Sequence, residues 1–163
     1  EARLAMVQRL ASASGSTGMV GGQAIDLGAV GQRLSLDDLE QMHRRKTGAL
    51  IEASVQLGVL SVDGASTGSS HQEHLVHYAR AIGLAFQVQD DLLDIEGDTS
   101  VIGIPQGSDQ ALSKPTYPAL MGVDGARDYL ATLLQQCRQS LADFGPEADA
   151  LRGMAEFVVS RRY

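Results

Sequence analysis

A chain of 163 residues is long enough for one domain with a sizeable buried core. Its 13 Lys and Arg against 20 Asp and Glu leave a formal charge of −7, which argues against a protein that works by neutralising nucleic-acid or membrane phosphates. With 44% hydrophobic and 20% charged residues it is globular rather than disordered, and a single cysteine, Cys137, excludes an internal disulfide framework and fits a reducing compartment. No apolar run approaches the ~18 residues of a membrane span, and no signal-peptide pattern opens the chain. The expectation is a soluble, cytoplasmic protein.

Ala and Leu occur twenty times each, Trp is absent, and no proline precedes Pro105. Nothing therefore breaks a helix covalently over the first 104 residues. An all-α domain of long helices packed through small residues is expected. The chain opens at Glu1 inside a helical pattern, with Leu4, Val7 and Leu10 spaced by three, and this predicts a helix over residues 1–13. A small-residue stretch follows, in which Gly21 and Gly22 weaken a helix but let a backbone or a ligand come close.

Ser35 and Asp38 form a capping-box pattern that opens a helix over about residues 36–60. Leu39, Met42, Ala49, Ala53, Val55 and Leu60 supply most of its apolar face. Residues 61–70 read as a polar helix–helix connector. Ser70 with Glu73 starts a long helix to about Ile95. From Asp98 to Pro118, three prolines and two glycines predict a long loop with short helical turns. Asp124 is expected to cap a helix to about Phe144, Gly145-Pro146 to end it, and a last helix to run to Arg161-Arg162-Tyr163. No run alternates long enough for a strand.

The chemically informative stretch is Phe86-Gln87-Val88-Gln89-Asp90-Asp91-Leu92-Leu93-Asp94. On a helix Asp90 and Asp94 lie one turn apart, Asp91 and Asp94 are i,i+3 neighbours, and Gln87 sits one turn before them. Like charges at this spacing repel and oppose the helix dipole, a cost that a bound cation offsets. Oxygen ligands without nearby Cys suit a hard cation, Mg²⁺ or Ca²⁺; taken alone, D-D-x-x-D is more often a solvated acidic face than a site. Upstream, in His43-Arg44-Arg45-Lys46-Thr47-Gly48, Arg45 or Lys46 with the Thr47 hydroxyl suits a phosphate, and Gly48 suits a close helix approach. Three basic residues on a helix are more often a solvated face. Downstream lie Gly107-Ser108-Asp109 and Ser113-Lys114-Pro115-Thr116-Tyr117-Pro118, where Lys114 is a phosphate ligand or a surface lysine. His71, His74 and His77 read as a solvated helix start, and Cys137 as a small buried residue.

In order, G-G-Q-x-x-D (Gly21 to Asp26), K-T-G (Lys46 to Gly48), F-Q-x-Q-D-D-x-x-D (Phe86 to Asp94), G-x-D and K-P-T-Y-P resemble the trans-prenyl diphosphate synthases, most of all their bacterial farnesyl (geranyl) branch. The resemblance spans essentially the whole chain and matches the C-terminal part of that family's pattern. It implies an all-α bundle of the isoprenoid synthase type, residues 1–163 forming part of one domain, incomplete at its N-terminal side. It further implies a homodimer using Mg²⁺, or Mn²⁺ in its place. In such enzymes an allylic diphosphate ionises, isopentenyl diphosphate attacks the carbocation, and a proton is lost.

Carried over by position, the resemblance makes Asp90, Asp91 and Asp94 the second aspartate-rich, metal-binding motif, with Asp90 a direct ligand. Lys46 would contact the allylic diphosphate and Thr47 would sit beside the reacting atoms. Phe86 and Gln87 would line the site, Asp109 would stand behind it, and Lys114 would add a phosphate contact. Arg161 and Arg162 match a basic tail that closes over the homoallylic substrate. Lys46, Thr47 and Gln87 are the expected catalytic group.

Two departures stand out. No first aspartate-rich motif is present, since Asp37-Asp38 lacks the spacing and the arginines, and Ile104 stands where relatives carry a phosphate-binding lysine. These favour a rival reading, a non-catalytic synthase-like subunit or interaction module. A terpene cyclase is a third, fitted less well by K-T-G and the setting of Gln87.

Overall fold

The computed structural model describes residues 1–62, 70–96 and 114–162. Seven α-helices make up the described part: α1 (Ala2–Ser14), α2 (Met19–Ala29), α3 (Leu36–His43), α4 (Ala49–Leu60), α5 (Ser70–Glu96), α6 (Tyr117–Ser140) and α7 (Asp149–Ser160). A π-helical turn, Arg44–Gly48, joins α3 to α4, and a short 3₁₀ turn, Pro146–Ala148, leads into α7. No strand occurs among the described residues, as the composition predicts. Nor is any described helix long and apolar enough to cross a membrane. The predicted loop with Gly103, Ile104, Gly107 and Asp109 lies outside the described residues, apart from its end at 114–118, as does most of the 61–70 connector.

α5 is the axis of the fold. It packs against α6 along much of its length and meets α4, α7 and the π turn on its other sides. Such burial all round explains its composition: Ala79, Ala81, Gly83 and Ala85 are buried, and their small size lets neighbouring backbones approach. Tyr78, Tyr117, Leu39, Met42, Leu133, Leu141 and Cys137 fill the space between the helices. Truncating a residue such as Leu133 removes transfer energy and leaves a cavity, together about 2–5 kcal/mol.

Two predicted helices differ in detail. The single helix expected over 36–60 is interrupted by the π turn, which falls where α2 crosses most closely. A Cβ on Gly22 would run into the backbone of Arg45 and Lys46. Ser35 caps the helix as predicted, its Oγ accepting from Asp38 N at 3.2 Å. Its hydroxyl then donates to Asp38 Oδ2 at 2.7 Å, because aspartate is one methylene shorter than the glutamate of the usual box.

The helix expected from Asp124 instead starts at Tyr117. Thr116 accepts from Ala119 N at 3.3 Å and Pro118 occupies the first turn, where its missing N–H costs nothing. Gly122, at φ 78°, kinks the helix close to the expected start. The far end comes at Ser140 rather than Phe144. Beyond it the Arg152 guanidinium donates to the carbonyls of Leu141, Phe144 and Gly145 at 2.6–2.9 Å, holding the exit by tertiary contact.

α1 forms as predicted, yet none of its residues is buried. Leu4, Val7 and Leu10 stand exposed, as do Val20, Ile25, Leu27 and Val30 on α2 and just past its end.

Candidate functional site

Two glycine contacts bring the site elements together. Gly22 lets α2 lie against the Arg45–Lys46 backbone, and Gly83 lets α5 lie against Gly48, where a Cβ would be 3.2 Å from the Gly48 Cα. The close approach expected at Gly48 is therefore present, with Gly83 as its partner. One turn beyond Gly22 on α2, the buried Asp26 reaches the side chain of Lys46, Oδ2 to Nζ being 2.8 Å. G-G-Q-x-x-D thus does one job at each end: glycine admits the lysine-bearing turn, and aspartate orients the lysine.

Thr47, Phe86, Gln87 and Asp90 come together where α5 passes the π turn that also carries Lys46. Thr47 Oγ1 donates to Gln87 Oε1 at 2.9 Å, and Gln87 Nε2 donates to Asp90 Oδ2 at 3.0 Å. His43 Nδ1 lies 3.1 Å from the same Gln87 oxygen. Arg161 closes the row. Its guanidinium pairs with Asp90 Oδ1, stacks over the Phe86 ring at 4.1 Å, and donates to the Phe86 carbonyl at 3.2 Å. The Arg161 carbonyl accepts from Gln89 Nε2 at 2.8 Å. Arg162, one residue on, is exposed.

The other two aspartates turn elsewhere. Asp91 is buried, and its Oδ2 accepts the backbone N–H of Tyr117 at 2.9 Å, tying α5 to the start of α6. Asp91 and Asp94 line a cavity of about 630 Å³ that also includes Lys114, Thr116, Arg33 and Ile95. The structure therefore divides the acidic motif. Asp90 belongs to the Thr47–Gln87 row, whereas Asp91 and Asp94 face the segment around Lys114. Asp109 lies outside the described residues.

As donors for a metal these carboxylates suit a hard divalent cation in kind. Among the described residues no three His, Cys, Asp or Glu side chains already form a metal-holding group. Mg²⁺ commonly takes only one or two protein carboxylates and completes its shell with water and substrate phosphate, so the donor set remains compatible with it.

Two residues that matter here carry little signal of their own. Asp26 is legible only by noticing that it follows Gly22 by one helical turn. His43 reads as one more member of a basic run, yet it is buried and stacked on Tyr117 with ring centroids 5.6 Å apart. The three other histidines sit at the N-terminal end of α5. His71 meets the edge of Phe144, while His74 and His77 line a separate cavity of about 460 Å³ with Arg44 and Arg80. Burial pushes the Cys137 thiol up to about 12, which fits the inert small residue expected there.

Comparison with known proteins places the chain in a family. Residues 3–147 match the family described as Polyprenyl synthetase. The chain is 49% identical over 162 residues to the farnesyl diphosphate synthase of Escherichia coli, covering 98% of this chain and 54% of that protein. It is 43% identical to the farnesyl diphosphate synthase of Haemophilus influenzae, again covering 54% of the relative. The chain thus spans about half the length of the curated relatives it matches.

Among solved structures, the FPP/GFPP synthase of Zymomonas mobilis superposes with a TM-score of 0.82 at 38% identity, over 97% of this chain and 51% of that one. The geranyltransferase of Helicobacter pylori, complexed with magnesium and isoprenyl diphosphate, gives 0.81 at 26% identity, over 97% and 51%. With its fold, its ordered motifs and the family match all in agreement, the chain belongs to the polyprenyl synthetase family.

Proposed function

We propose that this chain carries the second aspartate-rich wall of a prenyltransferase that condenses isopentenyl diphosphate with an allylic diphosphate, a farnesyl/geranyl-type step of isoprenoid biosynthesis. The observation that supports this best is the unbroken hydrogen-bonded row Thr47–Gln87–Asp90, with Lys46 next to Thr47 and anchored by Asp26. Lys46 supplies a fixed positive charge for the allylic diphosphate. The allylic C–O bond breaks with its electron pair leaving on diphosphate, the isopentenyl double bond attacks the cation, and a proton is lost.

The Phe86 ring would help to keep water from the cation. Thr47 presents its hydroxyl oxygen beside the reacting carbons, oriented by its hydrogen bond to Gln87. Asp90 would be the direct ligand of Mg²⁺, or Mn²⁺, with Asp91 and Asp94 acting in part through water; bound there, the ion supplies the charge that stabilises departing diphosphate. Arg161, Arg162 and Lys114 would contact the diphosphate of a substrate, and Asp109 would support them. A cytoplasmic homodimer is part of the reading, and the exposed apolar residues of α1 and α2 supply a surface for it.

Titration with pyrophosphate, with and without Mg²⁺, tests the proposal. Metal-dependent binding that is abolished by Asp90→Ala supports it. Metal-independent or absent binding points instead to the rival reading, a synthase-like helical subunit or interaction module.

A further inference from the structure

Gln87 stands at the centre of the row, and its polarity follows from its neighbours. One side of its amide meets Asp90 Oδ2 at 3.0 Å. A carboxylate offers only acceptors, and the Arg161 guanidinium on the other Asp90 oxygen reinforces that character. The amide nitrogen must therefore face Asp90, and the amide oxygen must face the opposite way. Two groups meet that oxygen: Thr47 Oγ1 at 2.9 Å and His43 Nδ1 at 3.1 Å. A carbonyl oxygen has two lone pairs and no proton, so both neighbours must donate.

We infer that His43 is a positioning residue: carrying its proton on Nδ1, it donates to Gln87 Oε1 and locks the amide that orients the Thr47 hydroxyl. The inference rests on the prenyl-transfer reading for its consequence, though not for its geometry. With its proton directed at Gln87, the Thr47 hydroxyl turns only lone pairs toward the site. That suits an electron-poor carbon and not a phosphate oxygen.

The setting of His43 fits this role. It is the last residue of α3, four positions before Thr47, so the two donors converge on one acceptor of α5. The ring is buried and stacked on Tyr117 with 23° between the planes, which fixes its orientation. The close approach of Gly83 to Gly48 holds α5 against the π turn at the same level. Were His43 aliphatic, the amide oxygen would keep, among the described residues, Thr47 as its hydrogen-bond donor.

The test begins with the unaltered chain and needs no turnover. A long-range ¹H–¹⁵N correlation spectrum reports which imidazole nitrogen of His43 bears a proton. Protonated Nδ1 is expected, and an unprotonated Nδ1 would overturn the inference. Two variants then separate positioning from packing. His43→Asn keeps an N–H at the position of Nδ1, whereas His43→Leu removes it and keeps the bulk.

The Gln87 side-chain amide protons should exchange slowly in the wild type and in His43→Asn, and at least tenfold faster in His43→Leu. Equal exchange in the two variants would also overturn the inference. Titration of the wild type with Mn²⁺ and pyrophosphate is read separately. Absence of metal-dependent binding there removes the prenyl-transfer reading, while the His43 inference is still decided by the tautomer and the exchange rates.

Discussion

Lys46 and Asp26 are twenty residues apart in sequence, yet Nζ and Oδ2 lie 2.8 Å apart, with both side chains more than two-thirds shielded from water. The lysine is held by its own chain before any substrate arrives. Its charge is aimed rather than free to sweep through solvent, and it reaches the site at little further entropic cost.

That relationship gives the first prediction. Asp26→Asn keeps the size of the side chain but removes its charge, leaving Lys46 partly buried beside a neutral partner. Stability should fall by about 1–3 kcal/mol, read from urea denaturation, and metal-dependent pyrophosphate affinity should weaken several-fold. Unchanged affinity would mean that the ion pair does not orient the lysine.

The glycine crossings should be unequal. A methyl on Gly22 meets the Lys46 backbone, which cannot step aside. One on Gly83 lies 3.2 Å from the Gly48 Cα, close enough for a small shift to relieve it. Overpacking of this kind costs about 1–3 kcal/mol, occasionally more. Gly22→Ala is expected at or above the top of that range and Gly83→Ala near its foot, with urea midpoints ordered accordingly.

Within the acidic motif, Asp91 and Asp90 should separate stability from binding. Asp91→Ala leaves the buried Tyr117 N–H without its acceptor and should cost about 1–3 kcal/mol. Asp90→Ala should remove metal-dependent pyrophosphate binding, which Asp91→Ala retains. Thermal melting and a pyrophosphate titration on the same two variants check both halves; a reversed pattern would make Asp91 the ligand.

High pH offers another check, and its sign follows from burial. In the fold the Cys137 thiol is raised from about 9 to about 12, because burial disfavours the thiolate. The folded state thus binds the proton more tightly than the unfolded one. This contribution is complete below the unfolded value and is lost as pH rises from about 9 toward 12. Tyr78, Tyr117 and Tyr129 are raised in the same sense, chiefly by burial, and add to the loss above pH 10. Stability should therefore fall above pH 9, and Cys137→Ala should flatten the slope between pH 9 and 10 by up to about 1.4 kcal/mol per pH unit. Alkylation at pH 8 should be slow until the protein unfolds.

Helices were legible from local pattern wherever one face carried the signal. Ser35 announced the start of α3, and Ser70 with Glu73 the start of α5. The start of α6 was placed late because Asp124 is a good cap by type. Thr116 and Pro118 supplied an equally good and earlier one, and the kink at Gly122 lay between them. The end of α6 depended on Arg152, whose contacts with the last carbonyls come from a helix not yet formed in any local reading. The acidic motif was legible as a group, but not its division. The partner of Asp91 is a backbone N–H 26 residues on, and the partner of Asp90 lies 71 residues away.

From the residues alone followed the all-α class and the order of the motifs, since periodicity, capping and spacing act within a few turns of one helix. Only the tertiary structure decided how the polar groups are wired: Lys46 to Asp26, Asp91 to Tyr117, Asp90 to Arg161, and His43 with Thr47 to Gln87. Each pairing depends on the separation and rotation of two packed helices. Both are set by where glycine lets backbones close, and a hydrogen bond is lost within a fraction of an ångström of the wrong crossing.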